Sequence, residues 1–203
     1  MERRLNIILD LDSTIIYGEE FKKVNNLDDI KEKYKNVHTM DTSYYIIERY
    51  GLQDFLTFLF KNFNVSVWTA ASKNYALFII QEVILKNDDR KLDWFFHSDH
   101  CEISSDISKS KEQKDLNILW ETFKITNYNK DNTLIIDDNE FVFKTQPTNC
   151  IKVLPPFELK NKSYNDTFLE KLQKELTDEF LNNKQNTLEQ SVKNINKLNE
   201  LNK

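Results

Sequence analysis

Two carboxylates two residues apart, Asp10 and Asp12, close the apolar run Leu5 to Leu9, and a second pair, Asp137 and Asp138, closes the run Leu134 to Ile136. Where a strand opens into a loop, two such acids can turn toward one pocket, one to attack an electrophile and the other to move protons. Attack by a carboxylate on phosphorus brings like charges together and needs a cation. Mg2+ suits that task because it binds a few carboxylate or carbonyl oxygens together with water and substrate phosphate. Asp10, the backbone carbonyl of Asp12, and Asp138 would supply such a set. A transferring phosphoryl group also needs donors for its equatorial oxygens. Thr69, after the apolar run Val65 to Trp68, and Lys114, at the head of a helical stretch, are the candidates.

These residues are far apart in sequence and need a scaffold that gathers them. Leu5 to Leu11 reads as a buried central strand of a parallel sheet, as do Val65 to Thr69, Thr133 to Asp137 and Cys150 to Leu154. Tyr44 to Arg49 reads as a further strand. It leads through Gly51 into a helix with Leu52, Phe55, Leu56, Leu59, Phe60 and Phe63 at helical spacing, giving one strand-helix-strand-helix unit. Ser72 fits the N-cap of a helix to about Leu85. Trp94 to His97 reads as an aromatic core strand, followed by a short segment from Cys101 to Ser104; another helix runs from about Lys114 to Phe123. Gly18 to Thr42 is a polar excursion with room for a small hairpin. Strands alternating with helices imply an α/β fold with a Rossmann-like, mostly parallel sheet, whose ligands bind at the carboxyl ends of the strands. Asp10, Asp12, Thr69, Asp137 and Asp138 all stand at those ends. From Ser163 onward, Leu169, Leu172, Leu176 and Phe180 form one apolar stripe and Leu188, Val192, Ile195 and Leu198 another, predicting a docked helix and then a protruding one.

Composition narrows the function classes. With 203 residues, fourteen Phe and eight Tyr, the chain can bury an aromatic-rich core without a metal or disulfide staple. A net charge of −5 gives no strong nucleic-acid signal. Cys101 and Cys150 read as free thiols in a reducing, intracellular compartment, cytoplasm or nucleus. The start MERRLNIILDLDSTII imitates a signal peptide, but Asp10 and Asp12 interrupt its apolar stretch. No run reaches the roughly 18 apolar residues needed to span a bilayer, so the chain reads as soluble with no membrane partner. His97, His100 and Cys101 could be drawn as zinc donors, yet no second ligand pair has suitable spacing.

The motifs also resemble a known family. ILDLDSTII is similar to the D-x-D-x-[ST] motif of the haloacid dehalogenase superfamily, and WTAAS, HSDHC with KDLNIL, and LIIDDNE resemble successive motifs of its FCP/SCP-like, NLI-interacting-factor-like phosphatase branch. IIERYGLQDFLTFL resembles the stretch leading into that branch's first helix, with Arg49 and Gly51 matching and Tyr50 where Pro is usual. The resemblance covers about Leu5 to Phe157. It implies a phosphatase domain over 1–160 without a large cap, and the apolar stripes beyond it leave a C-terminal helical extension over 161–203 that could recruit a partner or a second copy. It further implies Mg2+-dependent hydrolysis of phosphoserine or phosphothreonine in protein substrates through an aspartyl-phosphate. Asp10 would be the nucleophile, and Asp12 would protonate the leaving alcohol and then activate water. Thr14 would support the Asp loop within the phosphate-binding group, Thr69 and Lys114 would hold phosphoryl oxygens, Asp138 would bind Mg2+ beside Asp10 and Asp12, and Asp137 would orient Lys114 or a metal-bound water. Arg49 divides between a substrate role and pairing with a carboxylate at the sheet edge.

The chain departs from the branch in two places. Ser98 and Asp99 stand where relatives acting on the phosphorylated RNA-polymerase tail typically carry Arg then an acid, which removes a bidentate anion contact. The stretch between Lys114 and Asp137 is several residues longer than usual, predicting an extended helix or loop near the site. Rival readings are the same chemistry on nucleic-acid ends or small phosphate esters, and a catalytically silent adaptor.

Overall fold

The computed structural model describes residues 4–23, 27–108, 114–159, 165–183 and 185–201. In chain order, β1 (Asn6–Leu9), β2 (Ile16–Glu20), α1 (Leu27–Lys33), β3 (Val37–Met40) and β4 (Tyr44–Glu48) come first. They are followed by α2 (Leu52–Asn62), β5 (Asn64–Trp68), α3 (Lys73–Ile79, prolonged as a π-helical turn over Ile80–Ile84) and β6 (Phe95–Phe96). Then come α4 (Ser98–Ser108), α5 (Asn117–Glu121), β7 (Thr133–Asp137), α6 (Glu140–Thr145) and β8 (Cys150–Lys152). The chain ends in α7 (Phe168–Leu176, prolonged over Thr177–Asn182) and α8 (Leu188–Leu201).

Five strands pair in parallel in the order β6-β5-β1-β7-β8, so the expected α/β sheet is parallel throughout. The central strands are apolar on both faces because both faces are covered. Ile7 and Leu9 of β1 pack with Val65, Val67, Leu134 and Ile136 under α2, α3, α7 and α8. Ile8, pointing the other way, packs with Trp68, Phe96, Leu119, Ile135 and Val142 on the α4, α5 and α6 side. Ser72 caps α3 by accepting from the Tyr75 amide, as its position predicts.

Several expectations are corrected. Tyr44 to Arg49 does not feed the parallel sheet: β4 lies between β2 and β3 in a separate antiparallel sheet, with Ile16 opposite Glu48 and Val37 opposite Ile47. The Gly18 to Thr42 excursion supplies β3 and most of β2, which starts just before it at Ile16, and an apolar run alone does not reveal which sheet will pair it. Cys101 to Ser104 lies inside α4, and α5 begins only at Asn117. Trp94 is 46% exposed, outside the core that Phe96 joins. The long stretch before β7 folds back as packed turns that bury Ile125 and Tyr128 in the core against the sheet. α8 does not protrude. It buries Val192 and Ile195, and its Asn196 amide donates to Cys150 O while its oxygen accepts from the Lys152 amide, both at 2.8 Å, sealing the edge of β8. Ser163 and the 160/161 boundary lie outside the described residues, and α7 and α8 share the main core with β1.

Candidate active site

The site begins where β1 ends. Asp10 is 5% exposed, its amide donating to Ile136 O of the adjacent strand at 3.0 Å. The chain then turns tightly, the amides of Ile15 and Ile16 both donating to Leu11 O, with Ser13 in the left-handed region at φ 59°. A non-glycine residue held there costs about 1 kcal/mol or more, and the surrounding bonds enforce it. The Ser13 amide donates to Ile16 O, and Ser13 O accepts from the Phe157 amide at 2.7 Å.

Both oxygens of Asp10 are held. Lys114 Nζ bonds Oδ1, and the Thr14 hydroxyl donates to Oδ2 at 3.1 Å. Lys114 also donates to Asp137 Oδ2 at 2.7 Å, while Asp137 Oδ1 accepts from the Asn139 amide at 2.8 Å. The segment carrying Lys114 is fastened by buried Gln146, whose amide donates to Lys114 O at 2.7 Å and whose oxygen accepts from the Leu116 amide at 2.9 Å. Burial alone would lower the ammonium's pKa, but the Asp10 and Asp137 charges outweigh it and hold Lys114 well above its ordinary value. Burial pushes Asp10 up to about 6 despite Lys114, and it pushes Asp137 and Asp138 up to about 6 as well. One ammonium thus faces a cluster of carboxylates. Asp10, Asp137 and Asp138 each offer an oxygen within 4.8 Å of the others.

Thr69 follows β5, next to β1 in the sheet, and is 1% exposed, its hydroxyl oxygen accepting from the Ala71 amide at 3.0 Å. Asp12, half-buried, receives a 2.6 Å hydrogen bond on Oδ1 from the Tyr75 hydroxyl. Sequence reasoning used Tyr75 only as part of a helix. Gly18, one of only two glycines in the chain, hints at a close approach of backbone, but nothing in the spacing ties it to Tyr75 or Asp12.

Thr14 and Arg49 both act on the Asp loop itself. Thr14 is wholly buried, with its hydroxyl on Asp10, the place from which it supports the Asp loop as expected. Arg49 is 1% exposed: Nε donates to Asp166 Oδ2 at 2.7 Å, Nη1 to Thr14 O at 3.0 Å and Nη2 to Pro155 O at 2.9 Å. It braces the Asp loop from below, which favours the pairing alternative over contact with substrate.

A family model describing NLI interacting factor-like phosphatases matches residues 5–189. The chain belongs to that family. The phosphatase is 44% identical over 181 residues to the "Putative CTD phosphatase-like protein 355R" of Invertebrate iridescent virus 6, an alignment covering 87% of this chain and 99% of the relative. It is 40% identical over 177 residues to the protein of the same name from Invertebrate iridescent virus 3, covering 84% and 94%. Among solved structures it resembles Fcp1, described as an essential RNA polymerase II CTD phosphatase, with TM-score 0.57 and 19% identity over 98% of this chain and 63% of that one. It also resembles fission yeast Fcp1 bound to beryllium fluoride, with TM-score 0.58 and 20% identity over 98% and 64%. The chain thus spans less than two-thirds of those two structures, and the likeness to them concerns the fold, a parallel sheet flanked by helices. Membership of the family makes the chain a phosphoric monoester hydrolase of the protein-phosphatase type. Among the described residues no helix is long and apolar enough to cross a membrane.

Proposed function

We propose that the phosphatase removes phosphate from phosphoserine or phosphothreonine in a polypeptide, with Asp10 as nucleophile and Asp12 as acid and base. The observation that carries this reading is the buried Lys114 bridge between Asp10 and Asp137, which aims one carboxylate from the mouth of β1 while its charge is partly neutralised. An Asp10 oxygen forms a bond to phosphorus, the bond from phosphorus to the serine oxygen breaks, and that oxygen takes the proton from Asp12. Water then gives a proton back to Asp12 as its oxygen bonds phosphorus, and Asp10 is released. Thr69 and Lys114 donate to phosphoryl oxygens during both transfers.

The donor set suits Mg2+, being all hard oxygen and short of positive charge. Asp10 and Asp138, which offer oxygens within 4.8 Å of each other, would hold the ion together with the Asp12 carbonyl, and Asp137 would stay with Lys114 and the Asn139 amide. When bound, it supplies charge neutralisation for the phosphoryl group and its attacking carboxylate. Buried free thiols at Cys101 and Cys150 suit an intracellular, reducing setting.

For the substrate, the named relatives suggest RNA-polymerase-tail repeats, but Ser98 here offers only a hydroxyl, which donates to Asp99 at 3.1 Å. We therefore assign phosphopeptides lacking a second phosphate as the preferred class. A phosphopeptide panel scored for phosphate release tests this. Singly phosphorylated peptides should be turned over faster than doubly phosphorylated tail repeats; the reverse order, or turnover of nucleic-acid ends alone, would sink it.

A further inference from the structure

Among the buried polar contacts at the strand mouth, one involves a residue that neither phosphoryl transfer nor metal binding uses. The Tyr75 hydroxyl donates to Asp12 Oδ1 at 2.6 Å, from the first turn of α3. Its ring is set by an edge-on contact with Tyr44 of β4, centroids 5.3 Å apart. To reach Asp12, the phenol passes directly over Gly18 on β2. A Cβ at Gly18 would overlap the Tyr75 hydroxyl outright, would stand 3.1 Å from Tyr75 Cζ, and would stand 3.2 Å from Asp12 Oδ1. Gly18 lies in a regular strand register opposite Ile46, so its need for glycine is one of space.

We infer that Tyr75 is a positioning residue for Asp12, and that the bare backbone of Gly18 is what lets it reach. A donor fixed on Oδ1 leaves Oδ2 as the oxygen that exchanges a proton with the leaving alcohol and with water. It also stops the carboxyl from rotating between the two transfers. The arrangement joins the small antiparallel sheet, through Gly18 and Tyr44, to proton transfer at a site built on the parallel sheet.

This inference rests on Asp12 acting as the acid of the proposed reaction, and leaving-group dependence separates the two. Measure kcat/KM, which reports the steps through alcohol release, for 4-nitrophenyl phosphate and for a phosphoserine peptide. The nitrophenolate needs no proton, whereas the serine alkoxide does. Asp12→Asn is the reference and should lose far more activity on the peptide than on the aryl ester. Tyr75→Phe should show the same split, falling roughly 10- to 100-fold on the peptide and less than about threefold on the aryl ester. Gly18→Ala should reproduce Tyr75→Phe. In the Tyr75→Phe background Gly18→Ala should cost much less activity and stability than it costs the wild type, because loss of the hydroxyl removes the overlap and leaves only the two tight contacts. Equal losses on both substrates in Tyr75→Phe, beside a split in Asp12→Asn, overturn the positioning role alone. Absence of the split in Asp12→Asn overturns the acid role and the inference with it. A Gly18→Ala variant with wild-type constants overturns the packing account.

Discussion

Lys114 Nζ lies 2.7 Å from Asp137 Oδ2 in a site where Asp137 is wholly buried and Lys114 is 4% exposed. The same ammonium holds Asp10, so removing it strands two buried carboxylates. Lys114→Met should lower stability by about 3–5 kcal/mol, the usual result of breaking a buried ion pair on one side. Urea unfolding at pH 7.5 measures this. Activity should fall at least about 100-fold on every substrate, since the loss concerns the phosphoryl group and not the leaving alcohol.

The acid cluster also sets a pH dependence. Asp10, Asp137 and Asp138 are pushed up to about 6 by burial, so the folded protein binds protons more tightly than the unfolded chain. Stability from these groups is fully present below the ordinary carboxylate range near 4 and is lost as pH rises through about 6. A divalent cation binding the ionised cluster reverses that loss. Millimolar Mg2+ should therefore raise the melting temperature by several degrees at pH 7.5 and by little at pH 5, with chelator abolishing the difference. An equal shift at both pH values would argue against binding at these carboxylates.

The mouth of the sheet was legible in the sequence because its signals are local. Ile7 to Leu9 and Leu134 to Ile136 are apolar on both faces and end in acids, and that pattern survives any detail of packing. The placement of Tyr44 to Glu48 was not legible, since its apolar alternation suits either sheet and only the chain from Ile16 to Met40 decides the pairing. Tyr75 on Asp12 depends on a strand, a helix and a glycine meeting, which no spacing reports. α8 docks through Val192 and Ile195, whose stripe was legible, and through Asn196, a polar residue that reads as solvated until it is seen to close a strand edge.

Arg49 holds Asp166, Thr14 O and Pro155 O together, and its guanidinium lies over the Phe168 ring at 4.3 Å. Arg49→Met should cost about 3 kcal/mol or more, because Asp166 loses its partner and two carbonyls lose a donor. Arg49→Lys should recover only part of this, lacking the planar fork that reaches three acceptors. Chemical denaturation measures both. Added salt at 1 M should leave the deficit largely intact, as expected for a buried pair and not a surface one.

Glu175 on α7 carries the remaining prediction. Its side chain is 9% exposed, and burial pushes it up to about 7, with Lys171 offsetting only part of the shift. Its Oε2 has no hydrogen-bond partner, so ionisation leaves a buried charge poorly compensated. A carboxyl raised in the folded state contributes stability that is present below about 4 and is lost as pH rises through about 7. Glu175→Gln keeps the shape and removes the charge, so the variant and the wild type should melt alike at pH 5. By pH 8 the variant should melt a few degrees higher. The comparison is made by difference, so the Asp10, Asp137 and Asp138 contribution cancels. A constant difference across that range would show that Glu175 does not titrate there, and a variant less stable at pH 8 would show that its charge is held by a favourable contact.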